Sequence, residues 1–171
     1  MLKSLVSRFA VVAMLAMASL MAAPAVQAQA LSDYLENKLI DHVFRNTAYV
    51  SPTVLAVGLF TTACSDAAAG TEVATGAYAR GSLAPSLVNW AGTQGAASTV
   101  ASTGTGGQTS NNAVITFPTP SATWGTVTHM GLFDAATAGN LLICQALTTA
   151  KTINTGDTVT FPAAAFSITL N

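Results

Sequence analysis

The chain has 171 residues, a formal net charge of −1 and only 8% charged residues, against roughly a quarter in an ordinary globular domain. Six lysines and arginines, scattered along the chain, cannot neutralise a run of phosphates, which excludes a basic nucleic-acid-binding protein. Hydrophobic residues make up 51% of the chain, which excludes disorder driven by charge.

Residues 1–30 have the pattern of a secretory signal peptide. Lys3 and Arg8 form a short positive region, and fifteen uncharged, mostly apolar residues follow. Small residues then offer signal-peptidase sites after Ala28 and after Ala30. The alternative is a membrane anchor, but a helix of this run would extend about 22 Å, short of the roughly 30 Å hydrocarbon core. We therefore predict cleavage of this segment and export to the periplasm or medium. The mature chain is expected not to be bound to the membrane.

Cleavage removes two basic residues and leaves four against seven acids, so the mature chain carries a net charge of −3. Residues 31–171 have a length typical of one domain. Residues 32–45 are predicted to form its one helix. Ser32 fits the N-cap, Arg45 lies at the end where a cation is favoured, and Asn46 fits a left-handed stop.

Apolar side chains recur along this helix at three- and four-residue spacing and make one apolar face. They are Leu35, Leu39, Ile40, Val43 and Phe44. We expect this face to be buried, either against the sheet of the same chain or against a neighbouring subunit, with Leu39 and Phe44 among the buried residues.

From residue 53 the pattern changes to strands. Residues 53–62 are apolar on both faces, as in a strand with a layer on each side. Shorter strands are predicted at residues 77–83, 112–117, 123–133, 141–148, 158–161 and 166–170. Turns are predicted at residues 134–140 and 154–157, and residues 92–108 form a long loop or a weakly defined surface strand. Short strands separated by turns indicate a mainly β fold: an antiparallel, jelly-roll-like β-sandwich with an N-terminal amphipathic helix.

Two cysteines, Cys64 and Cys144, are available for a disulfide in an exported chain. The bridge would close a loop of about eighty residues and contribute about 4 kcal/mol in the chain-entropy model. A buried free thiol at Cys144 explains its place in an apolar strand equally well. The sequence leaves both alternatives open.

Few residues of the chain are suited to chemistry. His42 and His129 lie on different predicted elements, without the spacing of metal ligands or of a catalytic triad. Asp134 and Asp157 each lie in a predicted turn, where a carboxylate bonds its own backbone. Trp124 could stack on a sugar, but its place in a strand favours the core. We therefore predict no catalytic residue, no metal ion and no cofactor.

Several segments together resemble one known family. They are residues 31–45, 54–62, 70–73, 76–80, 123–142 and 146–157. In this order they are similar to small proteins of tailed bacteriophages and prophages that are called phage tail fibre proteins. The resemblance implies a non-enzymatic virion subunit that forms a homo-oligomer, a trimer by analogy, and contributes to host recognition. Other virion or surface components and a glycan receptor are its implied partners.

A second function fits the same residues. The chain could be a secreted bacterial β-sandwich module that binds carbohydrate or attaches to a cell surface. Neighbouring phage structural genes would favour the fibre subunit, and a cell-wall or secretion cluster would favour the binding module.

Overall fold

The computed structural model describes residues 30–170, so the predicted signal peptide lies outside the described residues apart from Ala30. One helix and nine strands follow each other along the chain. They are β1 (Ala30–Leu31), α1 (Asp33–Phe44), β2 (Leu55–Phe60), β3 (Gly81–Leu83), β4 (Gln108–Ser110), β5 (Ile115–Thr116), β6 (Gly125–Phe133), β7 (Leu141–Ile153), β8 (Thr160–Phe161) and β9 (Ser167–Thr169). The predicted class, mainly β with antiparallel sheets and one helix, is confirmed. A jelly-roll arrangement within that class stays a prediction.

The largest sheet has five antiparallel strands in the order β1-β7-β6-β2-β3. Two small antiparallel pairs, β4 with β9 and β5 with β8, lie beside it. Side chains from both parts meet in one apolar core. The large sheet contributes Val57 and Leu59, and the small pairs contribute Ile115 and Ile168. The core therefore lies between the five-stranded sheet and the two smaller ones.

Strand β2 is buried on both faces, as its unbroken apolar run predicts. Val57 and Leu59 point into the core, whereas Ala56 and Phe60 lie on the opposite face and are also buried, each at 0% exposure. Gly58 lies between them, and a β-carbon there would come within 2.9 Å of the Phe133 ring. Because Gly58 has no side chain, the Phe133 ring can pack directly on the backbone of β2.

Strands β6 and β7 form a long hairpin whose register shifts between Val127 and His129. This irregularity is a β-bulge, which changes the face that later residues present. It allows Val127 and Met130, three positions apart, to be buried in the same core. A strict period of two does not describe this strand.

Every predicted strand differs from the observed one in at least one of its limits, and two of these differences have a clear cause in the structure. The predicted strand at residues 77–83 begins only at Gly81, because Gly76 and Ala77 both adopt positive φ and turn the chain. The predicted strand at residues 141–148 instead continues to Ile153, because the start of β6 pairs with its second half from Gly125 onward. The residues at which a strand begins and ends therefore depend on the partner strand as much as on the local sequence.

Residues 92–107 form an irregular loop, so the surface-strand alternative is wrong. Side-chain amides hold it together. The Gln94 side-chain amide donates to the Ala101 carbonyl at 2.7 Å and to the Thr103 hydroxyl at 2.8 Å. The Asn112 amide donates to the Ser98 carbonyl at 3.0 Å. Side chains, rather than a strand ladder, satisfy part of this loop's hydrogen bonding.

An ion pair covers the outer face of the large sheet. Arg80 Nε and Nη2 donate to the two carboxylate oxygens of Glu72, each at 2.8 Å. Arg80 Nη1 donates to the carbonyls of Ala135 and Ala138 at 3.1 and 2.7 Å. The guanidinium also lies over the Phe133 ring, 3.3 Å from its centroid. This cluster connects the segment before β3 to the turn between β6 and β7.

Tyr78 extends the same cluster into the protein. Its hydroxyl donates to Glu72 Oε1 at 2.9 Å and accepts from the Leu59 N–H at 2.9 Å. Burial raises the pKa of Tyr78 well above its usual value; the Leu59 N–H acts against this rise, and the Glu72 carboxylate adds to it. The neutral phenol is therefore the form that the fold stabilises.

We expect this raised pKa to make stability fall at high pH. The contribution of Tyr78 is fully present below about pH 10, where the unfolded tyrosine is also neutral, and it is lost as the pH rises toward the folded pKa. Urea unfolding across alkaline pH checks this by comparison with Tyr78→Phe. The stability difference between the two proteins should shrink above about pH 10; a constant difference would contradict the assignment.

Candidate functional site

Helix α1 is fixed to the sheet by its first turn. Ser32 is 2% exposed, its N–H donates to the Leu142 carbonyl at 2.9 Å, and its hydroxyl donates to the Leu141 carbonyl. The same hydroxyl accepts from the Leu35 N–H at 3.2 Å, so Ser32 is the N-cap, as predicted. The Asp33 N–H donates to the Asp66 carbonyl at 3.1 Å. Backbone and cap bonds thus set where the helix starts.

The rest of the helix extends away from the domain. Tyr34 and Leu35 are partly buried against the core. The helix contains no fully buried residue. Its apolar residues become more exposed along its length: Leu39 37%, Ile40 50%, Val43 65% and Phe44 80%. We call these four residues the helix face. Within a single chain, the burial predicted for Leu39 and Phe44 is wrong, because the helix leaves the sheet after its first turn.

Beyond its first turn, the helix has few stabilising contacts with other described residues. It has twelve residues, a length that is marginal for an isolated helix in water. The ion pair of Arg45 with Asp41, at 3.4 Å, is exposed and contributes little. Asn46 has φ 55°, which confirms the predicted left-handed stop. An amphipathic helix of this length needs a surface to pack against.

A disulfide lies beside the base of the helix. Cys64 and Cys144 are joined, with a Cα–Cα distance of 5.9 Å and a sequence separation of 80. Cys144 lies on β7 opposite Ala30 of β1, and Cys64 begins the short loop that carries Asp66. Of the two alternatives left by the sequence, the structure contains the bridge.

The two aspartates considered for chemistry have structural partners. Asp134 accepts hydrogen bonds from the backbone and side-chain amides of Asn140, at 2.6 and 2.8 Å, and so closes the turn between β6 and β7. Asp157 accepts from the Asn154 N–H at 2.7 Å. Both carboxylates therefore fix a turn at the places where turns were predicted.

His129 and Trp124 are likewise explained by the fold. His129 is half-buried on β6, with Nδ1 2.9 Å from the Thr128 hydroxyl. Trp124 is 4% exposed, and its indole N–H donates to the Gly76 carbonyl at 3.0 Å, which confirms the core interpretation.

Among residues 30–170, no group of three or more His, Cys, Asp or Glu residues could hold a metal ion. No helix in this range has the length and hydropathy needed to span a membrane.

Two features of the site were not predicted. An apolar cleft of about 360 Å³ opens between β7 and β8, lined by Leu147, Ile153, Val159 and Phe161 among others. The contact between the first turn of α1 and Asp66 was also missed. Both arise from the juxtaposition of segments far apart in the sequence, and a single sequence carries no local signal for such contacts.

Comparison with known proteins gives one family. The model of that family, described as Podophage GP4 fiber I protein gp80, matches residues 30–169. The matched range begins at β1, ends at β9 and includes the helix. No curated protein matches the chain.

Proposed function

The chain belongs to the podophage GP4 fiber I protein gp80 family, and from this premise we propose that it assembles as a homo-oligomeric subunit of a phage fibre. Membership in a fibre family supports a structural role and is consistent with the absence of enzymatic activity. The observation that carries the proposal is the exposed helix face. By analogy with other fibres, the oligomer is a trimer.

The geometry of the helix supports a second copy of this chain as the partner of the helix face. Its four residues lie at positions i, i+1, i+4 and i+5, a stripe two residues wide on successive turns. A stripe of this width suits a helix that packs against more than one neighbouring helix. In a closed symmetric assembly every subunit presents the same face, so the helices of several copies cover one another.

A pair of matched valines tests this assembly. Val43 on the helix face is 65% exposed, and Val88, outside it, is 70% exposed. We expect the wild-type protein to be a homo-oligomer. Val43→Asp should weaken association at least about thirtyfold, because a carboxylate without a partner costs about 2 kcal/mol or more at an interface. Val88→Asp should leave association unchanged. Light scattering and sedimentation from micromolar to millimolar protein give the result.

Two outcomes would contradict the proposal. If Val43→Asp and wild type associate equally well, another surface holds the oligomer together. If the wild-type protein is monomeric at every concentration, the chain does not assemble by itself, and a secreted module that binds carbohydrate or a cell surface becomes the better function.

Recognition of the host belongs to the same proposal. The turns at residues 134–140 and 154–157 and the loop at residues 92–107 are largely exposed and rich in small polar residues. Such loops on a rigid scaffold are the usual carriers of binding function. We expect labelled protein to adsorb to host cells through a surface glycan. Adsorption that survives enzymatic removal of the glycans would contradict this.

Export is the last element of the proposal. The disulfide supports it, because such bonds form and persist in oxidising compartments. Mass spectrometry of the protein from a secretion-competent bacterium should find an N-terminus at Gln29 or Leu31. A product that retains Met1 in the cytosol would contradict export.

A further inference from the structure

The disulfide joins the two segments that hold the first turn of α1. One segment is β7, whose carbonyls at Leu141 and Leu142 accept hydrogen bonds from Ser32. The other is the loop of residues 63–69, which we call the Cys64 loop. Its Asp66 carbonyl accepts from the Asp33 N–H at 3.1 Å. The bridge from Cys64 to Cys144 therefore fixes both acceptors of the helix base relative to each other.

Packing does little to hold the Cys64 loop in place. Residues 65–69 are all exposed. A cleft of about 310 Å³ lies between this loop, the start of the helix and the turn at Gly139 and Asn140. Within the loop, the Ser65 N–H donates to the Ala68 carbonyl at 2.9 Å, which shapes the loop without attaching it to the sheet. The covalent bond is thus the strongest connection between the loop and β7.

We propose that this disulfide sets the direction of helix α1 and so makes assembly through the helix face depend on oxidation. The proposal rests on the proposed function, in which that face binds further copies. A dithiol such as dithiothreitol reduces the bond: the S–S bond breaks, both cysteines become thiols, and the dithiol is oxidised to its cyclic disulfide. Two electrons and two protons pass to the cysteines.

Reduction detaches the Cys64 loop from β7. The ends of the loop stay anchored, because the Thr61 N–H donates to the Thr71 carbonyl at 2.9 Å and the Thr71 N–H donates to the Thr62 hydroxyl at 2.7 Å. The Asp66 carbonyl, the acceptor of the Asp33 N–H, lies between these ends and is no longer held against β7 by a covalent bond. The helix keeps its attachment to β7 through Ser32 and the partial burial of Tyr34 and Leu35 against the core, but its base is no longer fixed by two segments. Association has to overcome the entropy of ordering the helix, which lowers the affinity between subunits. The reduced chain in a cytosol is thereby held back from assembly, and the oxidised chain is competent for it.

A pair of variants at one position separates this role from general stability. Asp33 is the first residue of α1, a position where proline is tolerated in helices. Ser32 has φ −71° and ψ 152°, the extended conformation that a residue before proline prefers. Asp33→Pro therefore removes the N–H that reaches Asp66 while the disulfide stays intact. Asp33→Ala removes the carboxylate and keeps that N–H, and so serves as the matched control.

The experiment measures subunit association of the purified full-length protein by light scattering, with and without dithiothreitol. We expect reduction to weaken association about tenfold or more, Asp33→Pro to weaken it similarly without reductant, and Asp33→Ala to behave as wild type. Hydrogen exchange should show faster exchange at the amides of the first helical turn after reduction. The Cys64→Ser/Cys144→Ala double variant should associate as weakly as the reduced protein, and dithiothreitol should not change its association.

Each other outcome has a defined meaning. Unchanged association and exchange after reduction would overturn the redox proposal and leave the proposed function standing. Reduced protein that loses the near-ultraviolet circular dichroism of its buried aromatic residues, together with Asp33→Pro that associates like wild type, would also overturn it, because the bridge would then act on the whole fold. A wild-type protein that is monomeric when oxidised would instead overturn the proposed function.

Discussion

Phe60→Ala should lower the free energy of unfolding by about 3–5 kcal/mol, the cost of removing a fully buried phenylalanine. Phe60 has 0% exposure and packs edge-on against Phe133, with 6.0 Å between ring centroids. Its ring also lies over Gly131, where a β-carbon would come within 2.7 Å of it. Since Gly131 has no side chain, it cannot fill the cavity that the truncation of Phe60 leaves. Urea unfolding followed by tryptophan fluorescence measures the loss.

The same truncation at an exposed position provides the control. Phe44 is 80% exposed in the single chain. Phe44→Ala, made in the Val43→Asp background so that assembly does not contribute, should change the stability by less than about 0.5 kcal/mol. Equal losses at Phe60 and Phe44 would show that the helix is buried in its own chain, contrary to the structure.

Glu72→Ala should cost about 3 kcal/mol, because it leaves the Arg80 guanidinium buried without its counter-ion. The Arg80 side chain is only 9% exposed, and that of Glu72 is 26% exposed. The remaining partners of Arg80, two backbone carbonyls and the Phe133 ring, carry no full negative charge. Tyr78 loses the acceptor of its hydroxyl in the same variant. Denaturant unfolding near neutral pH measures the effect.

Asp41→Ala breaks an exposed ion pair and is the matched comparison. Its partner Arg45 has a side chain that is 72% exposed, so water replaces the lost carboxylate. We expect a change below about 0.5 kcal/mol, measured in the Val43→Asp background. Similar decreases in the free energy of unfolding for Glu72→Ala and Asp41→Ala would mean that burial does not determine how much these ion pairs stabilise the fold.

Features set by neighbouring residues could be predicted from the sequence. The cap at Ser32, the stop at Asn46 and the turn closed by Asp134 each depend on bonds over a few positions. The two buried faces of β2 follow from an unbroken apolar run. These interactions are local, so residue type and spacing are sufficient to identify them.

Features set by distant residues could not be predicted in the same way. The apolar stripe of α1 is visible in the sequence, but its exposure depends on where the first turn is attached, through acceptors at Leu141, Leu142 and Asp66. The length of β7 depends on its pairing with the start of β6, from Gly125 onward. The pairing of the cysteines depends on a Cα–Cα distance across the sheet, which no spacing in the sequence specifies.

Because α1 is attached to the domain only at its first turn, its exposed residues can affect association without affecting folding. Ile40, Val43 and Phe44 lie outside the core, so in the proposed assembly substitutions at these positions change which chains associate while each altered chain still folds. In that assembly, a subunit with an incompatible helix is left out of the oligomer although it is correctly folded. Two related chains exported from one cell would thus keep their oligomers unmixed through a few positions at one end of one helix.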